Sequence, residues 1–355
     1  MKVIRAILLV INVLAALGLL LTTLAGTVAP SRSIILSMMS FVYLPMLVLN
    51  VVFVILWLLM RRWPFVVSAV AIAVRWSFVG LTIQVGGTSH VPDAAEHPQM
   101  VTLMTYNVHQ FNGREYDHGR ADTNARRFID LVRSEQPDIL CLQEYAATPH
   151  VGVTDSLVLM GYNHYYGAQT AKSGVPYGSV VFSRLPITYV SRIDNEKLLV
   201  ELHRDGKRLR VVCLHMDSYR FDDADREEIE RMRRGEVNES SRRTLAKVKE
   251  TILSHEQEWL NNIGPVVTEC KVPLVVAGDL NDVPTSWLYA RMSECLDDTF
   301  RDCGWGFGTT YSGGFPAVRI DNVFHSGDLR TLSHHRIRTD ISDHYPVMVA
   351  LEFKQ

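Results

Sequence analysis

PLVVAGDLND, residues 273–282, is a run of apolar residues that stops abruptly on a carboxylate. Leu274 to Gly278 offer no polar side chain on either face, as expected of a strand in a sheet covered on both sides. Asp279 and Asn281 therefore stand where a buried strand gives way to a loop. The pattern repeats outward along the chain. MVTLMTYNV (100–108) carries Asn107 near its end, DILCLQE (138–144) ends on Glu144, and RLRVVCLHM (208–216) has His215 beside its last residue. On the other side, RIDNVFH (319–325) carries Asp321, and YPVMVALEF (345–353) is preceded by Asp343 and His344 in ISDHYPV. With GSVVFS (178–183) and LLVELH (198–203), these stretches read as strands. Residues 122–135 read as a helix capped by Asp122 or Thr123, and a longer helix from about Ser241 to Asn262 is expected to end at Gly264-Pro265. Strands alternating with helices predict an α/β domain.

Each polar strand end has a plain reading when taken alone. Asp and Asn there are commonly turn formers, a single His is commonly structural, and Glu144 reads equally as the first solvated residue of its loop. Taken together they are four carboxylates, two imidazoles and two carboxamides in one ordered set. Zinc-ligand patterns of the CxxC or HExxH type are absent from the sequence, as are a GxxxxGK[ST] phosphate loop and a GxSxG nucleophile elbow.

The ordered set, with GDLN, the R-I-D strand and the terminal SDH as its specific parts, resembles the endonuclease/exonuclease/phosphatase superfamily. That metal-dependent group includes deoxyribonuclease I, abasic-site endonucleases, neutral sphingomyelinases and inositol-polyphosphate 5-phosphatases. The resemblance runs from about Met100 to Phe353 and implies a deoxyribonuclease I-like four-layer α/β sandwich. Phosphoester hydrolysis needs charge neutralised on the phosphoryl oxygens and a water held in line, and a hard divalent cation with oxygen ligands suits the first task. The resemblance implies Mg²⁺, with Mn²⁺ as a substitute, held principally by Glu144 with Asn107 and Asp343. It implies Asp279 as the carboxylate that orients and deprotonates the attacking water, and Asn281 as an amide donor to a phosphoryl oxygen. His344 would contact the phosphate, kept charged by Asp321, and His215 matches the second active-site histidine. One departure is His109, which stands where abasic endonucleases carry an acidic residue.

The amino-terminal part is of another kind. Residues 1–92 hold no Asp or Glu and six basic residues, Lys2, Arg5, Arg32, Arg61, Arg62 and Arg75. Removing these six from the 36 Lys and Arg of the chain leaves 30 basic against all 38 acidic residues, a net of −8 for the remainder. Residues 6–29 and 33–60 are charge-free, and each exceeds the roughly 20 apolar residues that cross a bilayer. A third stretch, Trp63 to about Gln84, is interrupted by Arg75, whose insertion cost its apolar neighbours offset. Three membrane helices in 1–85 are expected, in preference to two plus an interfacial helix or a cleaved signal peptide. Residues 86–99 read as a linker and 100–355 as the hydrolase domain. Basic residues at the amino terminus and at Arg61/Arg62 mark the inside. Three spans then make the protein integral to the cytoplasmic membrane, with its catalytic domain extracytoplasmic. Five cysteines do not settle the compartment, although Cys295 and Cys303 are spaced so that they could pair.

An acidic domain lacks the bulk charge with which nucleases neutralise phosphates. The expected partners are the bilayer, through the amino-terminal helices, and a lipid or small-molecule phosphoester. A tethered nuclease is the alternative, and a non-catalytic binding protein on the same fold is a third. Two further segments stand out. Residues 217–243, dense in mixed charge, read as a solvated helix or as a lid following His215. CGWGFGTTYSGGFP (303–316) reads as packing under a glycine-rich turn or as an aromatic rim with Trp305, Phe307, Tyr311 and Phe315.

Overall fold

The computed structural model describes residues 2–111, 118–146, 151–172, 175–194, 196–313 and 318–354, so Phe315 lies outside the described residues. The chain forms two compact units that interleave in sequence. One comprises Met1–Leu81, Asp217–Leu260 and Val283–Arg291, and the other Thr82–Met216, Asn261–Asp282 and Met292–Gln355.

In the second unit the strands run, in chain order, β1 (Ile83–Gln84), β2 (Met100–Asn107), β3 (Ile139–Ala146), β4 (His164–Lys172), β5 (Val175–Ser183), β6 (Ile187–Arg192), β7 (Leu198–Arg204) and β8 (Lys207–His215). They continue with β9 (Leu274–Asp279), β10 (Asp297–Asp298), β11 (Gly306–Phe307), β12 (Asp321–His325), β13 (Leu329–Arg336) and β14 (Val347–Phe353). All eight strands expected from the sequence are present. Two six-stranded sheets form, in the orders β13-β14-β2-β3-β5-β4 and β10-β12-β9-β8-β7-β6. Each has one parallel pair at its centre, β2–β3 and β8–β9, flanked by antiparallel neighbours.

Alternation along the strands explains why they are apolar throughout. Val101, Leu103, Ile139 and Cys141 face an inter-sheet core with Val200, Val211, Cys213, Val275 and Ala277. Their neighbours Met104, Tyr106, Leu140 and Leu142 pack instead with Phe128 and Ile129 of the helix His118–Glu135. This mixed α/β sandwich is the deoxyribonuclease I-like fold that the resemblance implied. At Gly278, φ is +151° and an added Cβ would lie 1.9 Å from the Leu214 carbonyl oxygen. The glycine of GDLN is thus needed for the close approach of β9 to β8.

The first unit holds two helical segments long and apolar enough to cross a membrane, Lys2–Thr22 and Ile34–Leu59. The third apolar stretch does not make one helix. It breaks at Arg75 into Phe65–Val74 and Trp76–Val79, although it still runs the length of the bundle. Phe65 packs with Trp57 and Met60 at one end, and Phe78 and Val79 with Tyr43 and Leu47 at the other. Asn12, Asn50 and Ser68 are buried between the three apolar segments. Ser68 Oγ lies within hydrogen-bond distance of both Asn12 Oδ1 and Asn50 Oδ1, its single proton serving one of them. Asn50 also donates to the carbonyls of Ala15 and Met46, and Asn12 to that of Pro64.

Residues 217–243 are ordered in the same unit, as a helix Asp223–Arg233 and the start of a helix Glu239–Glu258. Capping boxes at Asp222 and Asn238 start the two helices. The hairpin packs on the connection between the first two apolar helices. Ser31 donates from N and Oγ to Glu256, both at 2.7 Å, and Phe41 meets Tyr219 edge-on. Thr285 donates to Ser40 O at 2.9 Å. The long helix does not end the helical run at Gly264-Pro265: a π-turn Trp259–Ile263 leads into another helix, Gly264–Glu269, because Pro is tolerated in a first helical turn.

Candidate active site

The parallel pairs bring the polar strand ends to one edge of both sheets. His215 of β8 pairs in register with Asp279 of β9, and Asp279 with Asp321 of β12, so three functional residues stand abreast on neighbouring strands. In the other sheet Asn107 of β2 pairs with Gln143, which puts Glu144 one residue beyond. β14 is antiparallel to β2, with Val347 opposite Thr105, and so delivers Asp343 and His344 to the same end.

Asp279 is the hub. Asn107 Nδ2 donates to its Oδ2 at 3.0 Å and to Glu144 Oε1 at 3.1 Å. The Asn281 amide N–H donates to Asp279 Oδ1 at 2.8 Å, and the Asn281 side chain donates to Met216 O at 2.9 Å. His344 Nδ1 is 2.9 Å from Asp321 Oδ2, and its Nε2 lies 3.7 Å from Asp279 Oδ2. His215 Nε2 approaches the same Asp279 oxygen at 4.0 Å and Glu144 Oε1 at 3.7 Å, without a hydrogen bond to either. All eight residues singled out from the sequence therefore gather in this unit.

Glu196 was not anticipated. Its Oε2 lies 2.6 Å from His215 Nδ1, giving His215 a carboxylate partner as Asp321 is for His344. A signal was present in the sequence. Asp205-Gly206 is a hairpin turn dipeptide, and pairing back from Arg204 opposite Lys207 sets Leu198 opposite Cys213. Two residues further, the same count reaches Glu196 and His215.

Electrostatics follow from this geometry. Burial opposes charge on His344, but the carboxylates of Asp321 and Asp279 outweigh it and raise its pKa to about 10. His215 is likewise desolvated, yet Glu196, Glu144 and Asp279 lift its pKa to about 9. Burial and the neighbouring Asp321 push Asp279 up, against the pull of the two imidazoles. Glu144 is buried too, but His215, His109 and the Asn107 amide bring its pKa below the usual carboxylate value. His109 makes an ion pair with Asp343 at 3.2 Å, and its charge helps hold Asp343 ionised.

Among the described residues, one group of side chains has ligand atoms close enough together for a metal ion. Asp279, Asp321 and His344 have ligand atoms within 4.8 Å of one another. His344 Nδ1 is already engaged by Asp321, which leaves its Nε2 to face Asp279. Glu144 and Asp343 stay ionised and are partly open, their side chains 19% and 11% exposed, while Asn107 turns its Nδ2 towards Glu144 and its Oδ1 towards His109 N. Ionised carboxylate oxygens are the ligand type that a hard divalent cation takes. Backbone strain marks the same place. Glu144 and Asn281 have φ of 50° and 49°, and His109, Gln110 and Phe111 are three consecutive residues at positive φ.

Around the site, Thr310 Oγ1 accepts from the N–H groups of Ile320 and Asp321, and Ser312 N donates to Asp343 O. The Tyr311 ring lies 5.0 Å from that of His344. Residues 310–312 of the glycine-rich loop thus brace the catalytic segments. All five cysteines, Cys295 and Cys303 included, are free thiols.

Among known proteins, the endonuclease/exonuclease/phosphatase family model matches residues 104–344, about two thirds of the chain. A second family model, a domain of unknown function (DUF8431), matches residues 5–82. No curated protein matches the sequence. An endonuclease/exonuclease/phosphatase structure from Beutenbergia cavernae DSM 12333 is similar at 22% identity and a TM-score of 0.50, over 72% of each chain. Another from Bacteroides vulgatus has 16% identity and a TM-score of 0.50, over 72% of this chain and 99% of its own. At these identities the two structures speak to the fold, while the family match spans every residue of the site, from Asn107 to His344. The chain belongs to the endonuclease/exonuclease/phosphatase family.

Proposed function

We propose that the protein is a membrane-anchored, divalent-metal-dependent phosphoester hydrolase acting on a lipid headgroup or a small phosphoester. The observation that carries this reading is the convergence of two carboxylate-backed imidazoles on one oxygen. His215 Nε2 and His344 Nε2 both face Asp279 Oδ2, at 4.0 and 3.7 Å. A phosphoryl group entering there would meet two cationic N–H donors beside a carboxylate able to hold the attacking water.

In the proposed mechanism, Asp279 orients that water and takes its proton, helped by a pKa that burial raises. The Asn281 side chain exchanges the Met216 carbonyl for a phosphoryl oxygen. His344 donates to the phosphoryl group, and Asp321 keeps it charged and aimed. His215, held by Glu196, donates to the phosphate or the leaving oxygen. Glu144, Asn107 and Asp343 would hold Mg²⁺, or Mn²⁺ in its place, which supplies neutralisation of developing negative charge.

Membrane anchoring rests on the inside-out character of the helical bundle. Ile7, Leu14, Leu17, Val52 and Leu58 are exposed on its outside while Asn12, Asn50 and Ser68 are buried within. A soluble core helix has the opposite arrangement. The polar hairpin packs on the connection after Thr22, away from Lys2, Arg5, Arg61 and Arg62. With basic ends inside, three passes make the polar side extracytoplasmic. A net charge of −8 beyond residue 92 favours headgroups or small phosphoesters over nucleic acid.

The test is a substrate panel on the detergent-purified full chain with Mg²⁺, Mn²⁺ or excess chelator. The panel comprises sphingomyelin-like lipids, inositol phosphates, simple diesters, DNA and RNA. Metal-dependent turnover of a lipid or small ester, abolished by chelator, is expected. Turnover of DNA or RNA alone would move the assignment to a tethered nuclease, and turnover undiminished by chelator would overturn the metal.

A further inference from the structure

The stretch joining the apolar helices to the second unit's sandwich is bound to the loop before the site. Gly308 N donates to Thr82 O, and Ile83 and Gln84 pair with Phe307 and Gly306. Gly87 lies so close to the same loop that an added Cβ would come within 2.0 Å of the Gly304 carbonyl oxygen. Thr88 O then accepts from His334 N at 2.9 Å. Residues 82–88 are therefore a docked strap rather than a free linker.

The loop this strap grips exposes two large aromatic side chains, Trp305 at 63% and Phe307 at 59%, with Val85 at 80% beside them in the strap. Soluble surfaces seldom gather such rings. Their distance from the apolar helices is limited by the chain itself. Val79, the last helical residue, packs at the Tyr43–Leu47 end of the bundle. Only Gly80, Leu81 and Thr82 separate it from Ile83, which is no more than ~14 Å of extended chain. Phe307 is hydrogen-bonded across from Ile83. The headgroup layer on each side of a bilayer core is roughly 5–7 Å deep, and aromatic rings concentrate there.

We propose that Trp305 and Phe307 contact the lipid bilayer, seating their rings in the headgroup layer. From there the loop runs within five residues to Thr310, Tyr311 and Ser312, which brace Asp321, His344 and Asp343. The contact with lipid and the catalytic pair are thus two ends of one short segment. The site accordingly meets phosphoesters presented at the bilayer surface, that is, headgroups of amphiphiles. This inference rests on the membrane reading above.

The test uses the full chain reconstituted into vesicles of phosphatidylcholine and phosphatidylglycerol. Subtracting the emission of a Trp305→Phe variant from that of the wild type isolates Trp305 among the six tryptophans. Blue-shifted emission, quenched by lipids brominated near the glycerol end of the acyl chain and protected from iodide, is expected. Emission of a hydrated indole that iodide quenches would overturn the contact, as would blue-shifted emission that brominated lipid leaves untouched, which would indicate a protein neighbour instead. A chain that does not partition into vesicles at all would overturn the membrane reading itself. A Trp305→Ser, Phe307→Ser double variant should lose at least about tenfold in rate on vesicle-borne phosphoester, about 1.4 kcal/mol. It should keep its rate on a water-soluble ester. Equal losses on both substrates would overturn the coupling of the loop to interfacial substrate.

Discussion

Glu196 converts His215 from a strand-end imidazole into a charged, aimed donor, and it is the residue that strand-end reasoning passed over. The residues singled out from the sequence were legible because each stands at or beside an end of an apolar strand: Asn107, His215 and Asp279 end theirs, Asp321 begins one, and Asp343 and His344 precede one. Glu196 sits in a turn between β6 and β7, and β6 itself, with exposed Tyr189, carries too little apolar alternation to read as a strand. Its carboxylate bonds His215 Nδ1 at 2.6 Å and so acts through that imidazole, by positioning. Glu196→Gln should lower kcat about 10- to 100-fold, as for partners that orient functional histidines, with KM little changed. Steady-state kinetics on the substrate found in the panel checks this, and an unchanged kcat would remove Glu196 from the mechanism. His109 is a second residue whose role only geometry gave, through its ion pair to Asp343.

Among the elements, the strands buried on both faces were readable and the edge strands were not. β4, β6 and β13 lie at or near sheet edges, where one side is solvated and the apolar signal fades. The third apolar stretch shows a different limit. Its length suggested one helix, but Arg75 ends Phe65–Val74, and the pass is completed by a second short turn. What fixes that pass is the buried Asn12–Asn50–Ser68 node. Asn50→Leu should therefore destabilise the detergent-solubilised chain by about 0.6–2 kcal/mol, the range for hydrogen bonds between membrane helices. Thermal unfolding is the check, and an unshifted Tm would deny the node its role.

The hairpin of residues 217–260 has its own signature. Asp225 is desolvated, yet hydrogen bonds from Lys247 and Thr244 bring its pKa down to about 2. A carboxyl near 3.9 when unfolded and about 2 when folded contributes stability that is present above about pH 4 and is lost as pH falls toward 2. Thermal scans should thus show a gap between wild type and Asp225→Asn that is widest near pH 6, narrows through pH 3 and closes only toward pH 2. A gap independent of pH would contradict the pairing.

At the scale of the whole chain, the +6 of residues 1–92 and the −8 of the remainder mark its two chemistries, yet not the two units. Residues 217–260 and 283–291 follow His215 and Asn281 closely in sequence but fold with the apolar helices. Composition could not show this, because both segments read as ordinary polar surface. The family and the sandwich were legible from motif order, whereas the interleaving and the docked strap of residues 82–88 required the pairing of β1 with β11. Asp279 is the carboxylate that the His215 and His344 imidazoles both face. The central test is single-turnover hydrolysis by Asp279→Asn, alongside wild type at saturating Mg²⁺, with unfolding curves confirming an intact fold. A fall in rate of about 10²–10⁴-fold, the usual contribution of a general base, is predicted, and a rate within a factor of about two of wild type would contradict Asp279 as the proposed base.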